Sequence, residues 1–307
     1  MDDRHGSGAV RGGGQRYATP RAGRRGSGAL SSRSHLALAG AVTLLWSALA
    51  LTLLRILGPD WSLFAPATCL GTHCFCEAPR AGSYLLQPAN SLSSLGFIGV
   101  GSWIMLAAGQ DRGSALGILP TLWLGFTAII IGMGSLMLHA TLTLWGQFAD
   151  VLGMYLLGSF TLVWALRRRF RLGTEPAVLL YLLITGSLVT LLWIAPETRR
   201  WLFAVLLVAA ILAEWLLARP LRPGARPRLF LAALGANALA SALWVPDQTR
   251  QLCAPESLLQ GHAAWHLLGA AALLLAATAR SPDTNRHEIP EFRGIHLHRV
   301  CVILRSC

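Results

Sequence analysis

The residues best suited to chemistry lie in two short stretches of strongly apolar sequence. The first stretch holds Ser135 and His139, four residues apart, with Asp150 eleven residues farther along the chain. The second holds His262 and His266, again four residues apart. Because residues at this spacing share one face of an α-helix, each pair points in one direction. Ionisable groups at the centre of a membrane helix cost about 2.5–3.5 kcal/mol on insertion scales, so a chain that keeps them there usually uses them.

Three imidazoles, one carboxylate and one hydroxyl are the components of a hydrolytic zinc site. Zinc takes imidazole or thiolate ligands, and a catalytic site keeps one coordination position open for water. We interpret His139, His262 and His266 as the metal ligands. Asp150 is then either the acceptor of a proton from the attacking water or a partner that orients a ligand imidazole. Ser135 either donates a hydrogen bond to a developing oxyanion or is a small residue for helix packing.

The composition indicates an integral membrane protein. Of the 307 residues, 54% are hydrophobic and 13% are charged, whereas a soluble domain has about 25% charged residues. Eight apolar runs have the length, roughly 17–25 residues, that a helix needs to cross a bilayer. They are residues 36–57, 90–108, 115–141, 146–166, 177–195, 201–218, 229–245 and 258–279. We therefore predict an all-α, polytopic membrane helix bundle.

The chain divides into a membrane region and two polar tails. Residues 1–34 are rich in Gly, Ser and Arg, and this composition predicts a disordered cytoplasmic tail. Residues 35–57 are expected to form an extra transmembrane helix, 58–280 a hydrolase domain, and 281–307 a second cytoplasmic tail. All 26 basic residues are arginines, which suggests a bacterial source. They lie mainly in loops and tails, so the net charge of +12 does not indicate a nucleic-acid partner.

The distribution of arginines predicts the orientation. With both termini in the cytoplasm, the inner segments hold 21 arginines and the outer loops hold four, as the positive-inside rule requires. In this topology the candidate site residues all fall at the outer ends of their helices, and Glu77 and Asn90 lie on the same side. The zinc site is therefore expected toward the periplasmic or lumenal side of the membrane.

Four cysteines also fall on the predicted outer side of the membrane. That side is oxidising in a bacterium, so one or two disulfides are possible. The sequence does not give their pairing. The cysteines are Cys69, Cys74, Cys76 and Cys253.

These residues resemble the alkaline ceramidases, part of a wider group of membrane hydrolases and receptors that includes the adiponectin receptors. The resemblance covers residues 74–280, with predicted helices 2 to 8 corresponding to the seven helices of the family and helix 1 as an addition. It lies in separate fragments that agree in order and spacing. The fragments are Cys76-Glu77, residues 87–94, Gly134-Ser135 through residues 139–142, Gln147 with Asp150, and residues 262–266.

The resemblance implies the chemistry. It implies that the three histidines hold zinc, that Asp150 and Ser135 serve catalysis, and that the substrate is ceramide or a related amide-linked lipid. The products would be a sphingoid base and a fatty acid. Glu77 and Asn90 are candidates for orienting a ligand histidine.

The chain departs from the family at the calcium site of the animal enzymes, which surrounds the Cys-Glu pair. Glu77 keeps the glutamate of that pair. Cys74, Pro79 and Gln87 stand where the family has an acidic residue, an asparagine and a glutamate. Calcium prefers several oxygen ligands with carboxylates prominent, so a calcium site is doubtful here.

Two other functions compete with a lipid amide hydrolase. One is a receptor or scaffold of the same group, in which zinc is structural; Asp150 favours the enzyme, because a structural site needs no free acid beside it. The other is an intramembrane serine protease, but Ser135 lacks the Gly-x-Ser-x-Gly turn of such nucleophiles. The acyl-chain preference and the oligomeric state are not predicted.

Overall fold

The computed structural model describes residues 32–70, 74–108, 116–218 and 227–279. Within these ranges the chain is helical, with connecting loops and one isolated β-bridge between Pro66 and Thr143. The two predicted tails lie outside the described residues, apart from the last three residues of the first, which begin a helix. The helices are α1 Ser32–Leu57, α2 Pro88–Ser93, α3 Leu95–Ala108, α4 Ile118–Thr141, α5 Leu144–Phe170, α6 Thr174–Ile194, α7 Arg199–Leu212, α8 Pro227–Gln248 and α9 Gly261–Thr278.

Seven helical segments in the described part of the chain are long and apolar enough to cross a membrane. They are α1, α2 and α3 taken together, α4, α5, α6, α8 and α9. The prediction of an all-α, polytopic bundle is therefore confirmed. The first of these segments, α1, is the extra N-terminal helix that the sequence predicts.

The sixth predicted span, residues 201–218, is the one that differs from the prediction. Its regular part, α7, has 14 residues, which rise about 21 Å and fall short of a hydrocarbon core of about 30 Å. The helix continues as a π-helical segment over Ala213–Ala218. This segment holds Glu214, which is buried and forms an ion pair with Arg168 of α5.

Helix α4 lies at the centre of the bundle. In the most apolar 18-residue stretch of α4, 72% of the residues are buried, whereas in that of α6 only 17% are buried. Two glycines bring the neighbouring backbones against it. A Cβ built on Gly132 would lie 2.8 Å from the carbonyl oxygen of Ser94, and one built on Gly134 would lie 2.6 Å from the backbone nitrogen of Asp150. The seam between α4 and α5 therefore has no room for a side chain at Gly134.

The remaining helices surround this centre. Helices α8 and α9 pack together, α9 also contacts α3, and α7 packs on α5. An opening separates α7 from α8, and two cavities lined by residues of both helices lie in it. Helix α1 packs on α3 and buries His35, whose ring lies 4.4 Å from that of Trp103. His35 is therefore a buried residue of the contact between α1 and α3.

Candidate metal centre and active site

Two helix ends bring the three histidines together. His139 lies in the last turn of α4, and His262 and His266 lie on one face of the first two turns of α9. The carboxylate of Asp247, near the end of α8, accepts hydrogen bonds from the backbone N–H groups of His262 and Gly261. These bonds satisfy free amides at the start of α9 and fix that start beside α8. We call this end of the bundle the site end.

The three imidazoles face a common point. The Nε2 atoms of His139 and His262 are 3.1 Å apart, and the ligand atoms of all three rings lie within 4.8 Å of one another. All three side chains are buried. Zinc–nitrogen bonds of about 2.0–2.1 Å place two tetrahedral ligand atoms about 3.4 Å apart. The spacing and the all-imidazole donor set therefore fit a metal ion such as Zn²⁺, and this is the one such cluster among the described residues.

Gln87 fixes the tautomer of His139. The side-chain nitrogen of Gln87 donates a hydrogen bond to the backbone carbonyl of Glu77 at 2.6 Å, so its oxygen faces His139. That oxygen lies 2.9 Å from Nδ1 of His139. Because an amide oxygen only accepts hydrogen bonds, Nδ1 carries the proton. Nε2 is then unprotonated and available to a metal.

Ser93 has the same effect on His266. The hydroxyl of Ser93 donates to the backbone carbonyl of Asn90, and its oxygen lies 2.9 Å from Nδ1 of His266. The Asn90 carbonyl also hydrogen-bonds to His266. Nδ1 of His266 is therefore the donor, and Nε2 points toward the centre. Nδ1 of His262 is buried with no hydrogen-bond partner among the described residues.

The side chains proposed from the sequence as orienting partners, those of Glu77 and Asn90, form no hydrogen bond with a ligand histidine among the described residues, and the amide atoms of Asn90 are buried without a partner there. The two carboxylate oxygens of Glu77 accept hydrogen bonds from the backbone N–H groups of Ala89 and Asn90, at 2.8 and 2.9 Å. Burial raises the pKa of the Glu77 carboxyl, and these two bonds oppose the rise. Glu77 thus caps the first turn of α2, and Asn90 reaches His266 through its backbone carbonyl rather than its amide.

The orienting groups that sequence reasoning missed are Gln87 and Ser93. Both lie in the 87–94 fragment that carries the family resemblance. The signal that could have singled them out is the presence of uncharged hydrogen-bonding residues at the start of an apolar helix. Their spacing along the chain does not say which of them meets a histidine.

Asp150 lies on the second turn of α5, which begins after Thr143, whose hydroxyl accepts a hydrogen bond from the Gly146 amide. Asp150 as a whole is half-buried. Its carboxylate accepts a hydrogen bond from Ser135, and the Arg199 guanidinium is close enough to attract it. The Ser135 hydroxyl oxygen also lies 3.2 Å from Nε2 of His266. Ser135 therefore stands between the acid and the imidazole cluster.

A cavity of about 230 Å³ opens beside these residues. Asp150, His262 and His266 line it, with apolar side chains of α5 and α7. A second cavity, of about 180 Å³, shares four side chains with the first and continues along α5, α7, α8 and α9 as far as Glu214. The shared side chains are Met154, Phe203, Leu207 and Trp265. A mainly apolar space thus leads from the site into the membrane-embedded part of the bundle.

Two disulfides lie at the site end. Cys69 pairs with Cys74, and Cys76 pairs with Cys253. The second bond joins the loop before α2 to the loop between α8 and α9. All four cysteines singled out from the sequence are therefore oxidised.

A comparison with protein-family models matches residues 71–293 to the family described as Ceramidase. The match covers well over half of the chain and includes every candidate site residue. It begins after α1, which agrees with the reading of that helix as an addition to the family core. A comparison with curated proteins finds no match.

Proposed function

The chain belongs to the ceramidase family, and from this premise we propose that it is a zinc-dependent hydrolase of ceramide or a related amide-linked lipid. The products are a sphingoid base and a fatty acid. The observation that carries the proposal is the cluster of three buried imidazoles next to an acid that lines an apolar cavity. A metal centre, a proton acceptor and space for a lipid chain are thus adjacent.

Zinc, when bound, supplies a Lewis acid that polarises a carbonyl and makes water a nucleophile at neutral pH. The residues around it supply the rest. His139 and His266 present unprotonated Nε2 atoms, because Gln87 and Ser93 keep the protons on Nδ1. Asp150 takes a proton from the attacking water and passes it to the amine nitrogen as the C–N bond breaks, so the acyl carbon keeps the hydroxyl.

Ser135 is placed to stabilise the charge that develops on the amide oxygen. Its hydroxyl lies within hydrogen-bonding reach of both Asp150 and His266, so it is next to the reacting atoms. A hydroxyl that turns toward the oxyanion in the transition state lowers the barrier without strengthening ground-state binding. The guanidinium of Arg199 lies close enough to Asp150 to attract its carboxylate.

The substrate enters from the bilayer in this proposal. The lipid passes through the opening between α7 and α8, which apolar side chains line for the most part. A long hydrocarbon chain fills such a space favourably, at about 25 cal/mol for each Å² of apolar surface that is buried. The amide of the lipid then lies at the site end, beside Asp150.

We propose that the site end faces the periplasm or lumen and that both termini are cytoplasmic. The arginine distribution supports this orientation, and so do the two disulfides at the site end, because disulfides persist in oxidising compartments. Labelling of Cys301, in the C-terminal tail, by an impermeant reagent applied outside intact cells would contradict it.

Calcium is not part of the proposal. Glu77 is the one acid that the chain keeps from the family's calcium site, and both of its carboxylate oxygens are engaged by backbone N–H groups. A calcium site needs six to eight oxygen ligands. We therefore expect added calcium to have no effect on activity, whereas a zinc chelator should abolish the activity.

The test is metal analysis of the purified protein, followed by a fluorescent-ceramide assay on the wild type and on His262→Ala. We expect zinc near one equivalent per chain in the wild type, and loss of both zinc and activity in the variant. His35→Ala is the matched control, because it removes another buried histidine, one on α1 that contacts Trp103 of α3. It should keep both zinc and activity.

The main alternative is a receptor or scaffold of the same superfamily with a structural zinc. The feature that separates the two functions is Asp150, which a structural site does not need. Bound zinc without turnover of any amide-linked lipid would favour the receptor. Absence of zinc from a folded preparation would refute both.

A further inference from the structure

A three-residue segment covers the imidazole cluster. It consists of Cys74, Phe75 and Cys76, and we call it the strap. The ring of Phe75 lies 4.4 Å from that of His139 and 4.6 Å from that of His262, measured between centroids. The metal centre therefore has an aromatic ring between it and the loops at the site end.

The backbone of the strap is fixed on both sides of Phe75. Cys74 is bonded to Cys69, and Cys76 is bonded to Cys253. The Cys76 amide also donates a hydrogen bond to Asp247, the residue that holds the start of α9. Because both neighbours of Phe75 are tethered covalently, the strap cannot lift as a lid does. The part free to move is the Phe75 side chain.

The strap also closes the site end of the opening between α7 and α8. The backbone carbonyl of Cys74 accepts a hydrogen bond from Arg200 of α7 at 3.3 Å and another from Gln248 of α8 at 2.9 Å. These two bonds join the helices on either side of the opening. The strap therefore closes the loop side of the cavity and leaves open the side through which the lipid enters in the proposed function.

Phe75 separates two cavities. One is the cavity lined by Asp150, His262 and His266, and the other, also of about 230 Å³, lies among the loops at the site end. Polar residues line part of the loop cavity, namely Glu77, Gln87 and Arg250. Among the described residues, Phe75 is the one side chain that lines both cavities. Rotation of its ring would connect them.

We propose that Phe75 is a gate through which water from the loop cavity reaches the active site. The inference rests on the proposed function, because hydrolysis consumes one water for each amide bond that is cleaved. The bilayer side of the active-site cavity cannot supply that water, whereas the loop cavity, which has polar side chains in its wall, can hold it. Phe75 thus separates the two substrates: the lipid enters between α7 and α8, and water enters past the ring.

The experiment measures access to the active-site cavity without metal or turnover. Asp150→Cys provides a thiol on the cavity wall, in a chain that also carries Cys301→Ser and Cys307→Ser and keeps the four disulfide-bonded cysteines. The protein is placed in lipid vesicles, where hydrocarbon covers the opening between α7 and α8. A charged thiol reagent, present on both sides of the membrane, then has to enter through the loop cavity, and its rate of reaction is measured.

Removal of the ring should speed this reaction. If the open position of Phe75 is populated about 10% of the time or less, Phe75→Ala raises the labelling rate about tenfold or more. Phe75→Trp, with a larger ring, lowers it. Phe75→Leu should fall between the wild type and Phe75→Ala, and it serves as the second test if the alanine variant does not fold.

Phe64→Ala is the matched control. Phe64 lies in the same loop, and its ring contacts Trp61 and Trp145 instead of the histidines. It should leave the labelling rate unchanged. A Phe75→Ala rate equal to that of the wild type would overturn the gate, and so would an equal acceleration by Phe64→Ala, which would indicate general loosening of the loop. Because the assay requires no hydrolysis, its failure is distinguishable from failure of the proposed enzyme activity.

Discussion

Replacement of Gln87 by leucine should weaken zinc binding while leaving the three ligands in place. Gln87 receives the Nδ1 proton of His139 at 2.9 Å and is itself fixed by a 2.6 Å bond to the Glu77 carbonyl. Leucine has a similar size but no acceptor. The buried Nδ1–H is then unsatisfied, and the ring is free to move its proton to Nε2, which must be unprotonated to bind metal.

The size of the effect follows from these two bonds. A buried donor without a partner costs about 1–3 kcal/mol. Each 1.4 kcal/mol corresponds to about a factor of ten in affinity. The expected loss of zinc affinity is therefore about 10–100-fold, which is also the usual effect of removing a group that orients a metal ligand. Activity should fall in parallel at limiting zinc and recover at high zinc.

The assay is competition for zinc with a chelator of known affinity, and Gln147→Leu is the matched control. Gln147 is as buried as Gln87, but its side-chain oxygen accepts two hydrogen bonds from Thr68, each of 3.0 Å. The control should lower thermal stability and leave the zinc Kd unchanged. Wild-type affinity in Gln87→Leu would refute the reasoning, and so would an equal loss in Gln147→Leu, because the effect would then be one of general packing.

Three further predictions concern the acid, the disulfides and the α2 cap. Asp150→Asn should keep its zinc, measured by metal analysis, and lose kcat by about 10²–10⁴-fold, the usual contribution of a general acid–base group. Cys253→Ser removes a disulfide between residues 177 apart in the chain, and Cys69→Ser removes one between residues five apart. In the chain-entropy account, these changes lower the free energy of unfolding by at most about 5 and 2 kcal/mol, respectively. Thermal unfolding should therefore show the larger loss of stability for Cys253→Ser. Burial raises the pKa of Glu77, so the folded state binds its proton more tightly than the unfolded state does. The wild type should therefore lose stability relative to Glu77→Gln as pH rises from the ordinary glutamate pKa through the raised value, and a pH-independent difference between their melting temperatures would contradict this.

The histidine cluster could be predicted from the sequence because burying polar side chains in apolar helices costs free energy. A single site that contains His139, His262 and His266 is the simplest explanation for three such residues at helical spacing in apolar runs. Helical periodicity then gives the shared faces, and the arginine distribution gives the common end of the bundle. The same logic predicted that Asp150 lies at the same end of the bundle as the histidines.

The groups that orient the cluster could not be predicted in the same way. Gln87 meets His139 across 52 residues, and Asp247 meets the amide of His262 through the packing of α8 on α9. Placing an uncharged residue, or a residue at the end of a loop, costs little free energy. The sequence therefore does not indicate which residue it contacts in the folded protein. Hydropathy likewise does not distinguish an α-helical from a π-helical segment, which is why the change at Ala213 was not predicted.

The close approach at Gly134 has a consequence for engineering. Glycine-to-alanine changes within helices are a standard route to higher melting temperatures, since they reduce the freedom of the unfolded chain. At this position the added methyl would push α5 away and carry the backbone of Asp150 with it. A substitution of Gly134 made to raise the melting temperature would therefore displace Asp150 from its position in the proposed active site. Stabilising substitutions are better made at exposed glycines such as Gly186, where an added Cβ has no neighbour within 4 Å.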